Sequence, residues 1–254
     1  MLDGEVTTAD FAEIPSHAGT VFYGVLAQAH KLLRPKSYLE IGTATGASLA
    51  LGHCASIAID PQFRIDTEVV GVKPACMMFQ MGSDEFFKTY NPTTLLGRPI
   101  DMAFLDGMHL FEFLIRDFIN TEKHCLNNSV VFMHDCLPTD SHIARRFAGD
   151  DSQASLSPFP SWWAGDLWKA VLILKEYRPD LKIMALDAPP TGLLAITNLD
   201  PHSTVLKKNY FEMVESYRTL TLSQDRLDDY VKTINLMSTD VFSSLEQISQ
   251  YFWL

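Results

Sequence analysis

The chain has 254 residues, 47% of them hydrophobic and 20% charged, which is enough apolar material for one sizeable globular core. Its 20 Lys and Arg against 31 Asp and Glu leave a formal charge of -11, which repels a phosphate backbone and argues against nucleic acid as a partner. No apolar stretch approaches the roughly 20 residues that a membrane span requires, and Met1 to Ser16, carrying Asp3, Glu5, Asp10 and Glu13, has neither the basic nor the apolar part of an export signal. The expectation is a cytoplasmic protein without membrane contact. Cys54, Cys76, Cys125 and Cys136 are too widely spaced for a Cys-x-x-Cys pair and read as reduced, mostly buried thiols.

Apolar periodicity over 21–33 predicts an amphipathic helix that Pro35 stops. A strand over 37–41 then runs into Gly42-Thr43-Ala44-Thr45-Gly46, followed by a short helix over 47–53. A second strand, 56–59, ends on Asp60-Pro61, and a third, 75–80, ends on Gly82-Ser83-Asp84 before another helix. The fourth, 100–105, ends on Asp106-Gly107 and leads to a helix over 110–124; the fifth, 129–133, ends on His134-Asp135. Residues 152–163, rich in Ser, Pro and aromatics, read as a loop and candidate lid, and Asp166 is placed to cap a helix over 166–177. Two further strands, 181–186 and 193–197, flank a Pro-Pro turn as an antiparallel hairpin, and the chain from 201 on is helical in pattern.

Strands with continuous apolar runs are covered on both faces, and short crossovers through helices require them to run parallel. The fold class is therefore α/β: a doubly wound, mostly parallel seven-stranded sheet with an antiparallel C-terminal hairpin. Residues 1–200 form the main domain, and 201–254 form a helical appendage packed on it. The apolar stripe of that appendage leaves self-association open.

In open parallel sheets a ligand sits outside the carboxyl ends of the strands, where the polar residues just described fall. Gly42 and Gly46 put glycine where the backbone turns sharply, and Asp60, about 18 residues after Gly42, stands where an acid accepts from ribose hydroxyls. The spacing is not the Gly-x-Gly-x-x-Gly of a dinucleotide site, which counts against a nicotinamide-dependent oxidoreductase.

With Glu40 before the glycine turn, Asp60, Gly82-Ser83-Asp84 and Asp106, the chain over 21–198 resembles the class I S-adenosylmethionine-dependent methyltransferases. Within that class, Phe104-Leu105-Asp106-Gly107-Met108-His109, Arg116-Asp117, Val131-Phe132-Met133-His134-Asp135 and Gly165-Asp166-Leu167-Trp168-Lys169 look like the bacterial sugar and macrolide O-methyltransferases. The resemblance implies S-adenosylmethionine as cofactor. It places Glu40, Gly42, Thr43, Gly46 and Ser48 by the methionine part, Asp60 by the ribose, Gly82, Ser83 and Asp84 by the adenine, and Asp106 also at the cofactor. The implied reaction is methyl transfer to a hydroxyl of a small molecule such as a sugar, polyketide or phenol.

Such a reaction needs alignment plus a base or metal to take the hydroxyl proton, and Asp106, His109, His134 and Asp135 are the catalytic candidates. Two readings of Asp106 and Asp135 stay open. They supply hard oxygen ligands to Mg²⁺, or Asp106 touches the cofactor and Asp135 caps the following helix. His109 is a proton acceptor or an anchor for its loop. Trp168 has core spacing, while Phe159, Trp162 and Trp163 are either an acceptor wall or packing. A non-catalytic partner subunit that keeps the cofactor fold is the remaining alternative.

Overall fold

The structure, a computed structural model, describes residues 17–252; the acidic segment Met1–Ser16 read above for targeting lies outside them. The first helix, α1 (Phe22–Leu33), buries Phe22, Val25, Leu26 and Ala29, the spacing of one helical face. The chain then alternates strand and helix: β1 (Ser37–Ile41), β2 (Ala55–Ile59), β3 (Cys76–Phe79), α2 (Ser83–Thr89), α3 (Pro92–Leu96), β4 (Ile100–Leu105), α4 (Phe111–Glu122), β5 (Cys125–His134), α5 (Asp151–Ala154), α6 (Trp168–Tyr177), β6 (Lys182–Leu186) and β7 (Leu193–Thr197). It ends in α7 (Val205–Arg218), α8 (Gln224–Ile234), β8 (Leu236–Met237) and α9 (Leu245–Ser249).

The strands form one sheet in the order β3-β2-β1-β4-β5-β7-β6-β8. β3 through β5 are parallel, and β7 alone runs against its neighbours. The order reverses between β1 and β4, so the connections leaving their carboxyl ends run in opposite directions and leave a crevice on that rim. Every residue of β1 and β7 is buried, because both faces are covered: α4, α6, α7 and α8 pack on one side, and α1 with the C-terminal turns on the other.

Four local expectations change. Among the described residues the sheet has eight strands rather than seven, because β8 pairs in parallel with β6, placing a strand inside the segment read as wholly helical. A two-residue strand is too short to show periodicity. The helix expected over 47–53 is a single 3-10 turn, Leu49–Leu51, since Gly52 in extended conformation ends it. β5 starts at Cys125, four residues earlier than expected, with a register shift against β4 between Ile100 and Met102. Asp166 does not cap α6; its Oδ1 accepts from the backbone N–H of Phe111, 3.0 Å away, and so satisfies a first-turn donor of α4.

The C-terminal segment contributes Leu206, Met213, Leu227, Tyr230 and Ile234 to the same apolar cluster that covers the sheet. Trp168 is buried edge-on against Tyr230, whose hydroxyl donates to the Cys136 carbonyl at 2.7 Å. Among the described residues no helix is long and apolar enough to cross a membrane.

Candidate active site

The turn after β1 is shaped by close approach. Gly42 has φ +87°, and a Cβ there would lie 2.0 Å from the Asp106 carbonyl oxygen, so the β1 and β4 ends meet only if this residue is glycine. The Asp60 carboxylate accepts from the Ala44 N–H at 2.8 Å and the Gln62 N–H at 2.7 Å, tying the end of β2 to the glycine turn. Between them opens a cavity of about 480 Å³, in the range of a small-molecule site. Gly42, Asp60, Gly82, Ser83, Asp84 and Asp106 all line it.

The other cofactor candidates lie behind this wall. Glu40 is fully buried beneath the turn, and its Oε2 accepts from the Tyr38 hydroxyl at 2.6 Å while its Oε1 has no hydrogen-bond partner among the described residues. Burial raises its pKa to about 7, although the nearby hydroxyls of Tyr38, Thr43 and Ser48 pull it down. The Thr43 hydroxyl is likewise buried without a hydrogen-bond partner among the described residues. Gly46 and Ser48 do not reach the cavity. Gly46, φ +88°, turns the chain beneath Val69, and Ser48 precedes the 3-10 turn.

Met81, Phe113 and Asp117 also stand on the cavity wall, and the sequence reading assigns none of them a site role. Phe113 and Asp117 stand four apart on α4 and so share its inward face. Asp117 is almost completely buried, and burial, only partly offset by Ser83, raises its carboxyl to about 7. Asp84 is held from outside by the guanidinium of Arg116 through two bonds of 3.0 Å and one of 2.7 Å.

The ends of β4 and β5 bring Asp106, His109, His134 and Asp135 together. His134 Nδ1 lies 3.3 Å from Asp106 Oδ1 and 3.5 Å from Asp135 Oδ1. His109 Nε2 lies 3.2 Å from Asp135 Oδ2 and 3.7 Å from Asp106 Oδ1. The other ring nitrogen of His109, Nδ1, is 2.9 Å from the Trp163 carbonyl, and the ring stacks on Trp163 at 4.9 Å. A carbonyl only accepts, so Nδ1 carries the proton and Nε2 faces the carboxylates. Gly165, φ +63°, lets the following loop press against His109: a Cβ there would lie 1.8 Å from the His109 carbonyl oxygen.

Burial alone would lower the pKa of His134, but Asp135 and Asp106 raise it to about 9. Burial would raise Asp106, yet His134 and His109 hold it below the usual carboxylate range. Asp135 is pushed above that range by burial and by the like charge of Asp106. Asp135 does not cap a helix; its backbone is left-handed at φ 58° and its carboxylate accepts from the Thr191 hydroxyl. One ligand atom each from Asp106, His134 and Asp135 lies within 4.8 Å of the others, a spacing that a single cation can bridge. Cys136 turns away, its thiol buried and donating to the His134 carbonyl at 3.3 Å.

Phe159 and Trp162, stacked at 4.2 Å, line a second cavity of about 260 Å³ with His17, Thr139, Asp140, Pro158, Pro189 and Pro190. Trp163 is separate from it and instead supports His109.

A glycine turn after the first strand and an acid after the second flank one cavity at the reversal of a 3-2-1-4-5-7-6 sheet, the placement that the resemblance to class I S-adenosylmethionine-dependent methyltransferases implies. Residues 39–136, which run from β1 to just past the end of β5, match a family model described as a methyltransferase domain. Similar solved structures include the SAH-bound methyltransferase PaMTH1 of Podospora anserina, at 15% identity and TM-score 0.49 over 70% of this chain and 77% of that one. The O-methyltransferase TomG of Streptomyces achromogenes, in complex with SAM, has 17% identity and TM-score 0.48 over 72% and 82% of the two chains. An SAH complex of an O-methyltransferase from Bacillus cereus has 14% identity and TM-score 0.46 over 72% and 84%. A search of curated proteins gives no match.

Proposed function

We propose that this chain is an S-adenosylmethionine-dependent methyltransferase that acts on a hydroxyl oxygen of a small metabolite, with His109 as the proton acceptor. The observation that carries the reading is the orientation of His109. Its Nδ1 is committed to the Trp163 carbonyl, so Nε2 is the basic atom, and a proton gained there meets Asp135 at 3.2 Å. A base so placed takes the hydroxyl proton as the oxygen attacks, and the adjacent carboxylate stabilises the imidazolium that results.

S-adenosylmethionine, when bound, supplies a methyl group on a positively charged sulfur. The residues fit that molecule. The unpartnered Glu40 Oε1 and Thr43 hydroxyl lie buried at the glycine turn, where an amino-acid moiety needs polar partners. Asp60, fixed by two backbone donors, has lone pairs left for ribose hydroxyls, and Ser83, Asp84 and Asp117 surround the far end of the cavity. Asp106 joins the two ends.

Asp106, His134 and Asp135 would hold a divalent cation, whose chemistry is to lower the pKa of a bound hydroxyl. Two carboxylates and one imidazole also suit Mn²⁺ or Zn²⁺, whereas Mg²⁺ takes oxygen ligands by preference. The acceptor reaches the site from the side of Phe159 and Trp162, whose cavity borders the loop after β5. The four cysteines are free, which suits a cytoplasmic location.

The test is transfer of labelled methyl from S-adenosylmethionine to a panel of hydroxylated sugars, polyketides and phenols, with and without chelator. Turnover that collapses in His109→Gln and Asp106→Asn supports the reading. Methylation of amine or thiol acceptors alone, or full turnover in His109→Gln, contradicts it.

A further inference from the structure

The rim opposite the candidate active site carries a second hollow, of about 710 Å³. It is lined by residues that precede β1 and β2, namely Lys31, Arg34, Lys36 and His53, together with His30 of α1. Lys31, Arg34, Lys36 and His53 are exposed, and within the described residues none of these side chains has an ion-pair partner. Asp101 accepts from the Lys36 backbone N–H at 2.7 Å and pairs with Arg98 at 3.7 Å. Four cationic or ionisable groups thus converge on one hollow of a chain whose formal charge is -11.

The floor of the hollow is the second observation. His30 is only 8% exposed, yet among the described residues neither of its ring nitrogens has a hydrogen-bond partner. Gly52 lies against the ring, where a Cβ would sit 3.1 Å from Cε1. A buried polar group left unpaired is costly, so an imidazole in this state calls for a partner that enters from the hollow. Burial, and the positive charges of Lys73 and His53, hold His30 uncharged with a pKa of about 4, so it offers one N–H donor without demanding a counter-ion of its own.

We infer that this hollow binds a phosphate-bearing small molecule, with Lys31, Arg34 and Lys36 neutralising the phosphate and His30 donating to it from the floor. A phosphoryl group offers three or more acceptor oxygens to donors converging from different directions, and the Arg34 fork matches two of them. A carboxylate offers two oxygens and half the charge. The site lies at the amino ends of the strands, on the opposite rim from the methyl-transfer cavity, so occupancy does not compete with the cofactor.

The test is calorimetric titration of the full chain with pyrophosphate at low ionic strength, with chloride-matched controls and NMR of the histidine rings. Saturable binding is expected, with the His30 signals moving. Lys31→Ala with Lys36→Ala should weaken it about tenfold, in keeping with the loss of charge-assisted bonds. Arg34→Asn, which tolerates the left-handed backbone at φ 49°, should weaken it similarly and leave S-adenosylmethionine affinity unchanged. Equal ring shifts with chloride, or unchanged pyrophosphate binding in both variants, would overturn the inference. So would a low-salt dimer dissolved by the same substitutions, which would give the hollow to the acidic face of a second copy.

Discussion

The Asp60 carboxylate is joined to the Ala44 backbone N–H by a hydrogen bond of 2.8 Å. The acid that ends β2 therefore does two things: it presents lone pairs to the cavity, and it holds the glycine turn that forms the opposite wall. Asp60→Ala should lower unfolding free energy by about 1–2 kcal/mol, because two backbone donors lose their acceptor. Asp60→Asn, which keeps one side-chain oxygen, should lose less. Urea denaturation of both variants measures the difference.

Glu40 makes the cofactor-free protein sensitive to pH. Its folded pKa of about 7 stands above the unfolded value of 4.5, so the folded state holds the proton more tightly. Stability is then greatest at acidic pH and declines as pH rises from the unfolded value through 7, by about 3 kcal/mol for a shift of this size. Asp117, also raised to about 7 by burial, adds to the decline in the same direction. Melting temperatures between pH 5 and 8 should fall, and Glu40→Gln should flatten the curve. S-adenosylmethionine affinity should rise over the same interval, since the ionised carboxylate is the form that attracts an ammonium.

Gly165→Ala should damage catalysis without touching a reacting group. A methyl 1.8 Å from the His109 carbonyl, on a backbone at φ +63°, forces the His109 loop away from Asp135. A loss of about 2–3 kcal/mol in stability is expected from the clash and the strained backbone together. Steady-state kinetics should show kcat reduced, with the dissociation constant for S-adenosylmethionine little changed.

Replacement of His109 by Gln removes the proton acceptor and should lower kcat by about 10²–10⁴-fold. Trp163→Ala leaves the carbonyl that fixes Nδ1 but removes the stacked ring, and should cost less. A pre-steady-state measurement of the methyl-transfer step separates the two. Equal losses would mean that His109 serves only to anchor its loop.

The strand ends were legible because each apolar run stops abruptly on polar residues. Asp60, Ser83, Asp84 and Asp106 could be placed on one rim from that pattern alone, and they line one cavity. What failed to show were relationships across the chain. Asp166 stands next to α6 in sequence, so capping that helix was the natural expectation, yet its partner is Phe111, 55 residues away. Gly46 looked like a ligand contact, whereas Val69 packs where its Cβ would be. His134 was visible as a titratable residue, but only the folded strands show it sharing a cation-sized space with Asp106 and Asp135. β8 was invisible because two residues carry no period. Asp117 could have been found from its spacing to Phe113, had the helix been phased against the cavity.

Gly42 and Asp60 face each other across one cavity, placed to grip a single nucleoside-bearing molecule. Isothermal titration of the purified protein with S-adenosylmethionine measures this directly. One site per chain is predicted, with affinity reduced about 10–100-fold in Asp60→Ala as charge-assisted bonds to the ribose are lost. No heat of binding in the native protein, or an affinity that Asp60→Ala leaves unchanged, would contradict it.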